Sequence, residues 1–351
     1  MRFDCDNQLL SDFAKCEAKG IVRHIFGYRS KADKIAADMG NVFHRALELH
    51  FQGHNPTVVL DRLDVEYNKV FPPGQAADEP RFAKVNVYKI MERYCQIRGR
   101  EKFPFDVIET EQVKGYMLDY DGKGEILFWT KRDVLVRDRQ SGVLKPVDHK
   151  TTTKIGDWFA KRHRITSQLS GYCWLTGIEF RQQVGEAYIN AIEISKLPDS
   201  TGKCKLHNTT YNKCGPEHAN FQLYTYTRTP EQIEKWRQDA IIWAQKVMML
   251  KQAFTRLEML PYAWKSGAFN DSCQFCEYQA WCSVGFPPEK VEEYCTWEPW
   301  EPWREGFYIT PGGGNQQLWG VSEGARAKHQ MEYAEAARRI ALAGQGGEER
   351  R

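Results

Sequence analysis

Two carboxylates and a lysine in neighbouring segments of the chain could do chemistry together. Asp148 and Lys150 are two residues apart, and on a β-strand such residues share a face. Val147 and His149 would then point to the other face. If this segment pairs as a hairpin with the apolar segment before it, Asp133 reaches the face that carries Asp148 and Lys150. The sequence therefore predicts two carboxylates and one ammonium group at one sheet surface.

This combination of groups suits metal-assisted hydrolysis of a phosphodiester. Two hard oxygen ligands favour Mg²⁺ or Mn²⁺. Such a metal polarises a phosphoryl oxygen and lowers the pKa of the attacking water. A lysine beside it can orient or deprotonate that water and offset negative charge in the transition state. An Asp-x-Lys pair is also common as a surface ion pair, so the pair alone does not decide the function.

The elements around these residues alternate between helical and strand patterns. Helical periodicity covers residues 1–28, 37–51, 58–71, 81–100, 165–178, 230–258 and 325–343. Strand patterns cover 106–117, 124–137, 143–151 and 183–194, with a hairpin connection at 138–142 and strand pieces in 200–228. We expect an α/β fold with a mixed central sheet flanked by helices.

The composition is that of a soluble protein with a hydrophobic core. The 351 residues are 42% hydrophobic and 27% charged, which excludes global disorder. No run approaches about 18 consecutive apolar residues, so we expect no transmembrane helix. The N-terminus lacks a secretory pattern, so we expect a cytoplasmic, intracellular protein. The net charge of +3 neither demands nor excludes a nucleic-acid partner.

The order of the motifs resembles the RecB-type branch of the PD-(D/E)xK nucleases. In that family a helix supplies a histidine, one strand an aspartate, the next strand (D/E)-x-K, and the following helix Q-x-x-x-Y. The matching residues occur here in the same order: His44, Asp133, Asp148, Lys150, Gln168 and Tyr172. The resemblance covers residues from about 40 to 195 and implies a restriction-endonuclease-like core.

The resemblance also implies a role for each matching residue. The implied metal ligands are His44, Asp133, Asp148 and the main-chain carbonyl of His149. Lys150 would be the catalytic lysine, and Gln168 and Tyr172 would position the DNA or that lysine. Glu109 and Glu111 are further acidic candidates on the preceding strand, although the sequence does not fix their register. A packed or solvated His44 and a Tyr172 that belongs to the core remain alternatives.

Three cysteines follow the long helix with C-x2-C-x5-C spacing: Cys273, Cys276 and Cys282. Three thiols this close cannot all form disulfides, so a metal or cluster is expected, with Cys16 as the fourth ligand and Cys5 as the runner-up. Four thiolates permit Zn²⁺ or an iron–sulfur cluster. The resemblance to AddB-like helicase–nucleases and CRISPR-associated RecB-like exonucleases implies [4Fe-4S]. Its expected role is structural, because it would close a very long loop of the chain. The remaining cysteines are expected to be buried or incidental: Cys95, Cys173, Cys204, Cys214 and Cys295.

Basic residues follow the predicted catalytic strand, and two aromatic residues lie among them. The basic residues are Lys154, Lys161, Arg162, His163 and Arg164. Basic side chains contact phosphates and aromatic rings stack on unpaired bases, so Trp158 and Phe159 make a single-stranded DNA substrate plausible. A solvated loop with two core aromatic residues explains the pattern equally well.

These features predict four segments. Residues 1–104 form a helical N-terminal region that contributes His44 and one cluster cysteine, 105–260 the nuclease core, 261–288 the iron–sulfur segment, and 289–351 a partly disordered tail. The tail carries Trp297, Trp300, Trp303, Phe307 and Tyr308. We expect them to pack as a lid over the cysteine segment, because their exposure would create a large apolar patch. A strip for partner docking or base stacking is the alternative.

We expect a Mg²⁺- or Mn²⁺-dependent DNA exonuclease that acts on DNA ends, preferably on single strands. The resemblance implies recombination, repair, phage replication or CRISPR adaptation as its setting, with proteins of those processes as partners. One alternative is a structure-specific or duplex endonuclease with the same core. A second alternative is a non-catalytic DNA-binding subunit that bears the cluster.

Overall fold

The computed structural model describes residues 2–32, 35–75, 77–98, 103–120, 125–194, 221–301, 307–309 and 315–316. Its strands are β1 Arg2–Asp6, β2 Tyr28–Ser30, β3 Phe105–Tyr120, β4 Glu125–Asp138, β5 Leu144–Thr152, β6 Glu186–Glu193, β7 Phe221–Thr227, β8 Cys295–Trp297, β9 Phe307–Ile309 and β10 Asn315–Gln316. Its α-helices are α1 Asn7–Lys15, α2 Glu17–Gly20, α3 Ile35–Gln52, α4 Pro56–Val70, α5 Lys84–Ile97, α6 Asp157–His163, α7 Ser167–Phe180, α8 Pro230–Ala253, α9 Gln279–Ser283 and α10 Val291–Tyr294. None of the helices described is both long enough and apolar enough to cross a membrane.

Within the described residues, the main sheet has eight strands. Seven follow the order β10-β9-β3-β4-β5-β6-β7, and β1 pairs separately with β4. The β3–β4 and β4–β5 pairs are antiparallel, whereas the β5–β6 and β1–β4 pairs are parallel. The prediction of a mixed sheet flanked by helices is confirmed.

Strands β1 and β5 pair with different stretches of β4. Residues 125–129 of β4 pair with β1, and residues 134–137 pair with β5. The register therefore stops at Trp129 and resumes at Val134. Asp133 lies in residues 130–133 of β4, which pair with neither β1 nor β5. The backbone of β5 can therefore bond to the Asp133 side chain there instead of to the backbone of β4.

Helices cover both faces of the sheet. Helices α3, α4 and α5 share a core with inward residues of the strands, including Val134 and Val147. Leu169 of α7 packs in a second core with Leu135 and Leu144. In the third core, Phe13 of α1 joins α8 and the segment that carries the cysteines. This third core draws on all four predicted segments, so they share one hydrophobic interior.

Local sequence signals explain where several helices begin. The Thr229 side chain accepts a hydrogen bond from the backbone of Gln232, whose side chain in turn caps Thr229, and Pro230 opens the first turn of α8. The predicted start of this helix is confirmed. It ends at Ala253 rather than at residue 258, because Leu257–Tyr262 forms a 3-10 helix instead.

The N-terminal residues differ from the helix predicted from residue 1. Arg2–Asp6 forms β1, in which Phe3 and Cys5 are the buried positions of an alternating pattern. Asp6 then ends the strand and caps α1, because its carboxylate accepts a 2.6 Å hydrogen bond from the backbone of Leu9. Because β1 has only five residues and leads directly into α1, its alternating pattern is too short to be distinguished from helical periodicity.

Two further predictions concern the middle and end of the chain. Strand β7 accounts for residues 221–227 of the stretch 200–228. Residues 195–220 with Cys204 and Cys214, residue Trp303, and the helix predicted at 325–343 lie outside the described residues. Of the tail tryptophans, Trp300 packs at the edge of the third core, 6.1 Å from the His24 ring. Trp297 is 54% exposed, so its predicted packing is wrong.

Candidate functional site

Side chains from α3, β3 and β4 meet at the face of the sheet. His44, Glu111 and Asp133 each offer one ligand atom, and these atoms lie within 4.8 Å of one another. Within the described part of the chain this is the only group of three histidine, cysteine or acidic residues that is so compact. The Nδ1 atom of His44 is 3.4 Å from Oδ2 of Asp133. The helix and the two strands thus bring an imidazole and two carboxylates to one point.

The carboxylate of Asp133 is fixed by the backbone of the neighbouring strand. The N–H of His149 donates a 2.6 Å hydrogen bond to Asp133 Oδ2, just beyond the end of the β4–β5 ladder at Val134 and Val147. Burial alone would raise the pKa of Asp133, but the charge and hydrogen bond of His44 outweigh it and lower that pKa. The pKa of His44 is correspondingly raised by Asp133, against the opposing effect of burial.

Asp148 and Lys150 lie beside this group as a partly buried ion pair. Lys150 Nζ is 2.7 Å from Asp148 Oδ2 and donates a 2.9 Å hydrogen bond to Oδ1. Burial and the charge of Asp133 raise the pKa of Asp148. Burial lowers the pKa of Lys150, but Asp148 and Asp133 outweigh it and raise that pKa. The structure therefore brings Asp133, Asp148 and Lys150 together, with Lys150 as an ammonium group.

Glu111 belongs to the site because β3 is irregular. Its φ is 51°, a left-handed conformation that a non-glycine residue adopts only at some cost. The register of β3 also shifts between Val107 and Glu109. Thr110 pairs with Val134 and Gln112 with Arg132, which places Glu111 across from Asp133. The sequence offered the acidic residue but not this register.

Glu109, two residues earlier, lies in a different environment. Its carboxylate contacts Lys114 at 2.7 Å and Arg132 at 2.9 Å. Arg132 and Lys114 also pair with Glu179 of α7, which closes a four-residue ion network between the sheet and that helix. Glu109 therefore has a structural role and is no member of the ligand group.

The His149 side chain points away from the carboxylates into the core. Asn190 Nδ2 donates a 2.9 Å hydrogen bond to His149 Nδ1 and a 2.8 Å bond to the Tyr94 hydroxyl. Burial lowers the pKa of His149 to about 3, so the imidazole is neutral. The backbone N–H of His149 bonds to Asp133, whereas its ring lies 5.7 Å from the His44 ring. Sequence reasoning missed Asn190 and Tyr94, which hold the ring, since neither belongs to a recognisable motif.

Gln168 and Tyr172 form a short hydrogen-bonded chain on α7. Gln168 Nε2 donates to the Tyr172 hydroxyl at 2.9 Å, and that hydroxyl donates to the carbonyl of Lys131 at 2.7 Å. Lys131 is two residues before Asp133 on β4. The hydrogen bonds of Tyr172 thus reach the strand that carries Asp133 rather than Lys150.

The group of His44, Glu111, Asp133 and Asp148 fits a hard divalent cation. Glu111 Oε1 and Asp148 Oδ2 are buried and accept no hydrogen bond, although Oδ2 lies within ion-pair distance of Lys150. Buried carboxylate oxygens are normally satisfied, and a cation would satisfy them here. Carboxylates with an imidazole suit Mg²⁺ or Mn²⁺.

The basic residues after β5 are exposed, and the structure separates the two aromatic residues among them. Phe159 is only 3% exposed and packs in the second core, whereas Trp158 is 67% exposed. The four predicted DNA contacts all have exposed side chains: Lys154, Lys161, Arg162 and Arg164. The alternative of two core aromatic residues therefore holds for Phe159 only.

Cys16, between α1 and α2, lies against the segment that carries Cys273, Cys276 and Cys282. A Cβ built on Gly267 would lie 3.4 Å from both Cys16 Sγ and Cys273 Sγ, so the two sulfurs are separated by at most twice that distance. Burial raises the pKa of Cys282, and the nearby Cys16 and Cys273 add to that rise. The pKa of Cys276 is likewise raised by burial, with Cys16 contributing. A glycine at position 267 leaves a space that a side chain would fill.

Of the other described cysteines, Cys295 lies near Tyr278 of this segment. Cys5 is fully buried and its thiol donates to the carbonyl of Leu127 on β4. Cys95, Cys173 and Cys295 are buried, as predicted. Of the two candidates for a fourth ligand, Cys16 is therefore the one that the fold brings to the segment.

Comparison with known proteins places this site in a family. A model described as the PD-(D/E)XK nuclease superfamily matches residues 8–283. The crystal structure of SSO0001 is similar over 71% of this chain and 86% of that chain, with 13% sequence identity and a TM-score of 0.31. A search of curated proteins found no match. Because the family match extends over most of the sequence and includes every residue of the site, the chain belongs to the PD-(D/E)XK nuclease superfamily.

Proposed function

We propose that this chain is a Mg²⁺- or Mn²⁺-dependent DNA exonuclease whose site consists of His44, Glu111, Asp133, Asp148 and Lys150. Membership of the superfamily implies a metal-dependent nuclease and DNA as its class of substrate. The observation that carries the proposal is the group of His44, Glu111 and Asp133 within 4.8 Å, next to the Asp148–Lys150 pair.

The residues of the site would divide the work between ligation and charge stabilisation. Asp133, Asp148, Glu111 and His44 would hold the cation, and the carbonyl of His149 remains a proposed further contact. A bound divalent cation would polarise the phosphoryl oxygen and make the attacking water more acidic. The raised pKa of Lys150 favours an ammonium that stabilises negative charge on the phosphate over a lysine that removes a proton.

We propose exonuclease rather than endonuclease action from the order of the motifs. The proposal rests on the RecB-type order of His44, Asp133, Asp148-x-Lys150 and the Gln168/Tyr172 pair. The exposed cations of Lys154, Lys161, Arg162 and Arg164 would contact the DNA phosphates. Recombination, repair, phage replication or CRISPR adaptation remain the proposed settings.

End-labelled oligonucleotides and closed circles test the reaction. The wild-type protein should degrade linear DNA only when Mn²⁺ or Mg²⁺ is present, and it should leave circular single strands intact. Lys150→Ala should lose cleavage but keep DNA binding, whereas Lys89→Ala, an exposed lysine on α5, should behave like wild type. Cleaved circles would indicate an endonuclease. Unchanged cleavage by Lys150→Ala would remove Lys150 from the mechanism.

We also propose a [4Fe-4S] cluster on Cys16, Cys273, Cys276 and Cys282. The space beside Gly267 supports a thiolate-bound group at this place. The choice of a cluster over a single zinc ion rests on the resemblance to iron–sulfur nucleases, because four thiolates permit either.

Metal analysis tests the cluster. Anaerobically purified protein should be brown and contain about four iron atoms and no stoichiometric zinc per chain. Cys16→Ser should lose the iron, whereas Cys5→Ser should retain it. A colourless protein with one zinc ion per chain would refute this assignment and leave the nuclease proposal untouched.

A further inference from the structure

Helix α6 has one face in the core and one face in solvent. Phe159 is buried, with its ring 4.5 Å from the His163 ring and 5.6 Å from the Tyr224 ring. The Tyr226 hydroxyl donates a 3.0 Å hydrogen bond to the carbonyl of Ala160. These contacts anchor the helix without any contribution from Trp158, whose indole is 67% exposed.

The exposed indole has a cationic partner one turn along the helix. The guanidinium carbon of Arg162 is 5.5 Å from the centre of the Trp158 ring, within the range of a cation–π contact. Residues at i and i+4 face each other on a helix, so the contact limits the rotamers of both side chains. Trp158 therefore presents a pre-oriented aromatic surface with a positive charge attached.

The charge of the surrounding surface complements a polyanion. Residues 154–165 contain four exposed cations, at Lys154, Lys161, Arg162 and Arg164, against one carboxylate, at Asp157. Ile165, at the end of the segment, is 88% exposed. A surface that binds another protein would be expected to carry fewer charges and more apolar area than this one.

This face also lies close to the reaction centre. Lys150 is on β5, and five residues separate the end of that strand from Trp158. The connecting turn is tied down, because Glu193 accepts a 2.9 Å hydrogen bond from the backbone of Ile155.

We propose that the exposed face of α6 is a subsite for unpaired DNA, in which Trp158 stacks on a base and Arg162 contacts the adjoining phosphate. This inference rests on the proposed nuclease function, since it assumes that the strand continues into the site at Lys150. Stacking on one aromatic ring tolerates any base but requires that the base be unpaired. The subsite would therefore favour single strands over blunt duplexes without reading sequence.

Binding measurements in the Lys150→Ala background test the subsite without cleavage. The probes are a fluorescein-labelled oligothymidylate and a blunt duplex, and the readout is fluorescence anisotropy. Trp158→Ala should weaken single-strand binding by about 5- to 100-fold, the range expected for the loss of one stacked base. Binding of the duplex should change by less than about twofold, and Trp158→Phe should restore most of the single-strand affinity.

Two further variants serve as controls. Trp264→Ala removes a tryptophan that is 64% exposed but lies in the cysteine segment, so it should bind oligothymidylate like the parent. Arg162→Ala should reduce the salt dependence of binding by about one phosphate contact.

The outcomes separate this inference from the proposed function. Unchanged single-strand affinity in Trp158→Ala, equal losses for both probes, or no binding of oligothymidylate by the parent would each overturn the subsite. If the wild-type protein cleaves DNA in those cases, the nuclease proposal still stands. Binding that depends on Trp158 in a protein that never cleaves DNA would instead support the subsite and defeat the nuclease proposal.

Discussion

Glu109 and Glu111 lie two residues apart on β3, yet their carboxylates lie in different environments. Glu109 joins the ion network of Lys114, Arg132 and Glu179. Glu111 joins the ligand group and has an unpaired buried oxygen. A strand with strict alternation would place both carboxylates on the same face. The left-handed φ of Glu111 breaks that alternation.

Substitution of these two glutamates should give opposite results. Glu111→Gln removes a proposed ligand and should weaken Mn²⁺ binding by at least about 10-fold. This is the loss expected even for residues that only hydrogen-bond to a metal ligand. Glu109→Gln should leave Mn²⁺ binding unchanged but lower the melting temperature, because its partners lose a counter-charge. Calorimetric titration with Mn²⁺ and thermal melts measure the two effects. Equal Mn²⁺ affinities for the two variants would contradict the assignment of Glu111.

The metal-free protein should also respond to Glu111→Gln in its stability. Burial and Asp133 raise the pKa of Glu111 in the folded state. Because the pKa of Glu111 is higher in the folded state, its protonated carboxyl stabilises the fold relative to the ionised form. That contribution is lost as the pH rises, so ionised Glu111 destabilises the metal-free fold at neutral pH. The metal-free variant should therefore melt at or above the wild-type temperature at pH 7. A lower melting temperature would show that the Glu111 carboxylate is stabilising without a cation.

At this scale the sequence predicted which residues could act but not how each would be oriented. Asp133, Asp148, Lys150 and His44 follow motif spacing, and the fold brings all four together. The place of Glu111 depends on an irregularity of the backbone. A left-handed φ at a glutamate is uncommon, and no residue type in this stretch signals it.

At the scale of elements, α7 supports the site through the backbone of β4. The Tyr172 hydroxyl is the hydrogen-bond donor to the Lys131 carbonyl, and it is buried with the two carboxylates nearby. Burial, with the charges of Asp148 and Asp133, raises the pKa of Tyr172, so the hydroxyl keeps its proton and can donate.

Removal of this hydroxyl should destabilise the protein measurably. Tyr172→Phe leaves the Lys131 carbonyl without its partner and should lower the free energy of unfolding by about 1–3 kcal/mol. Tyr262→Phe, which alters an exposed tyrosine, should have no such effect. Urea denaturation compares the two variants. An unchanged midpoint for Tyr172→Phe would show that the hydrogen bond contributes nothing to the support of β4.

The long periodic elements could be predicted closely, whereas the short ones could not. Helix α3 and strands β3, β4 and β5 begin and end within a few residues of the predicted bounds, because each carries several periods of its pattern. Strand β1 has five residues and α6 has seven, too few to establish a period. The sequence therefore predicts a helix where β1 lies and assigns no element to α6.

At the scale of the whole molecule, the first 30 residues are joined to the cysteine segment by contacts that need no metal. Asp12 is completely buried and forms an ion pair with Lys19 at 3.1 Å. Lys19 and Arg23 also reach Glu277, at 3.1 and 3.2 Å. Strands β2 and β8 pair beside this clasp of Asp12, Lys19, Arg23 and Glu277. A cluster on Cys16 would therefore reinforce a closure that already exists.

Loss of the cluster should consequently leave the protein folded. Cys282→Ser should retain the circular-dichroism spectrum of the wild type and unfold cooperatively, although at a lower temperature. Glu277→Gln, which weakens the clasp, should lower the melting temperature of the Cys282→Ser protein further. A Cys282→Ser protein without stable secondary structure would show instead that the fold requires the cluster.

The clasp should also make stability depend on acid. Burial alone would raise the pKa of Asp12, but His24, Lys19 and Gln8 outweigh it and lower that pKa. A lowered pKa contributes stability above the unfolded value of about 3.9, and this contribution is lost as the pH falls. The stability advantage of wild type over Asp12→Asn should therefore shrink below about pH 4. Asp61→Asn, at an exposed position, should show no such trend, and a pH-independent advantage would contradict the role of Asp12.

Anomalous diffraction from crystals grown with Mn²⁺ tests most directly whether these side chains form a cation site. We predict a peak within about 2.5 Å of carboxylate oxygens of Asp133 and Glu111, close to the His44 imidazole, that disappears in Glu111→Gln crystals. A protein that diffracts well but shows no peak there, or binds Mn²⁺ elsewhere on the sheet, would contradict the account.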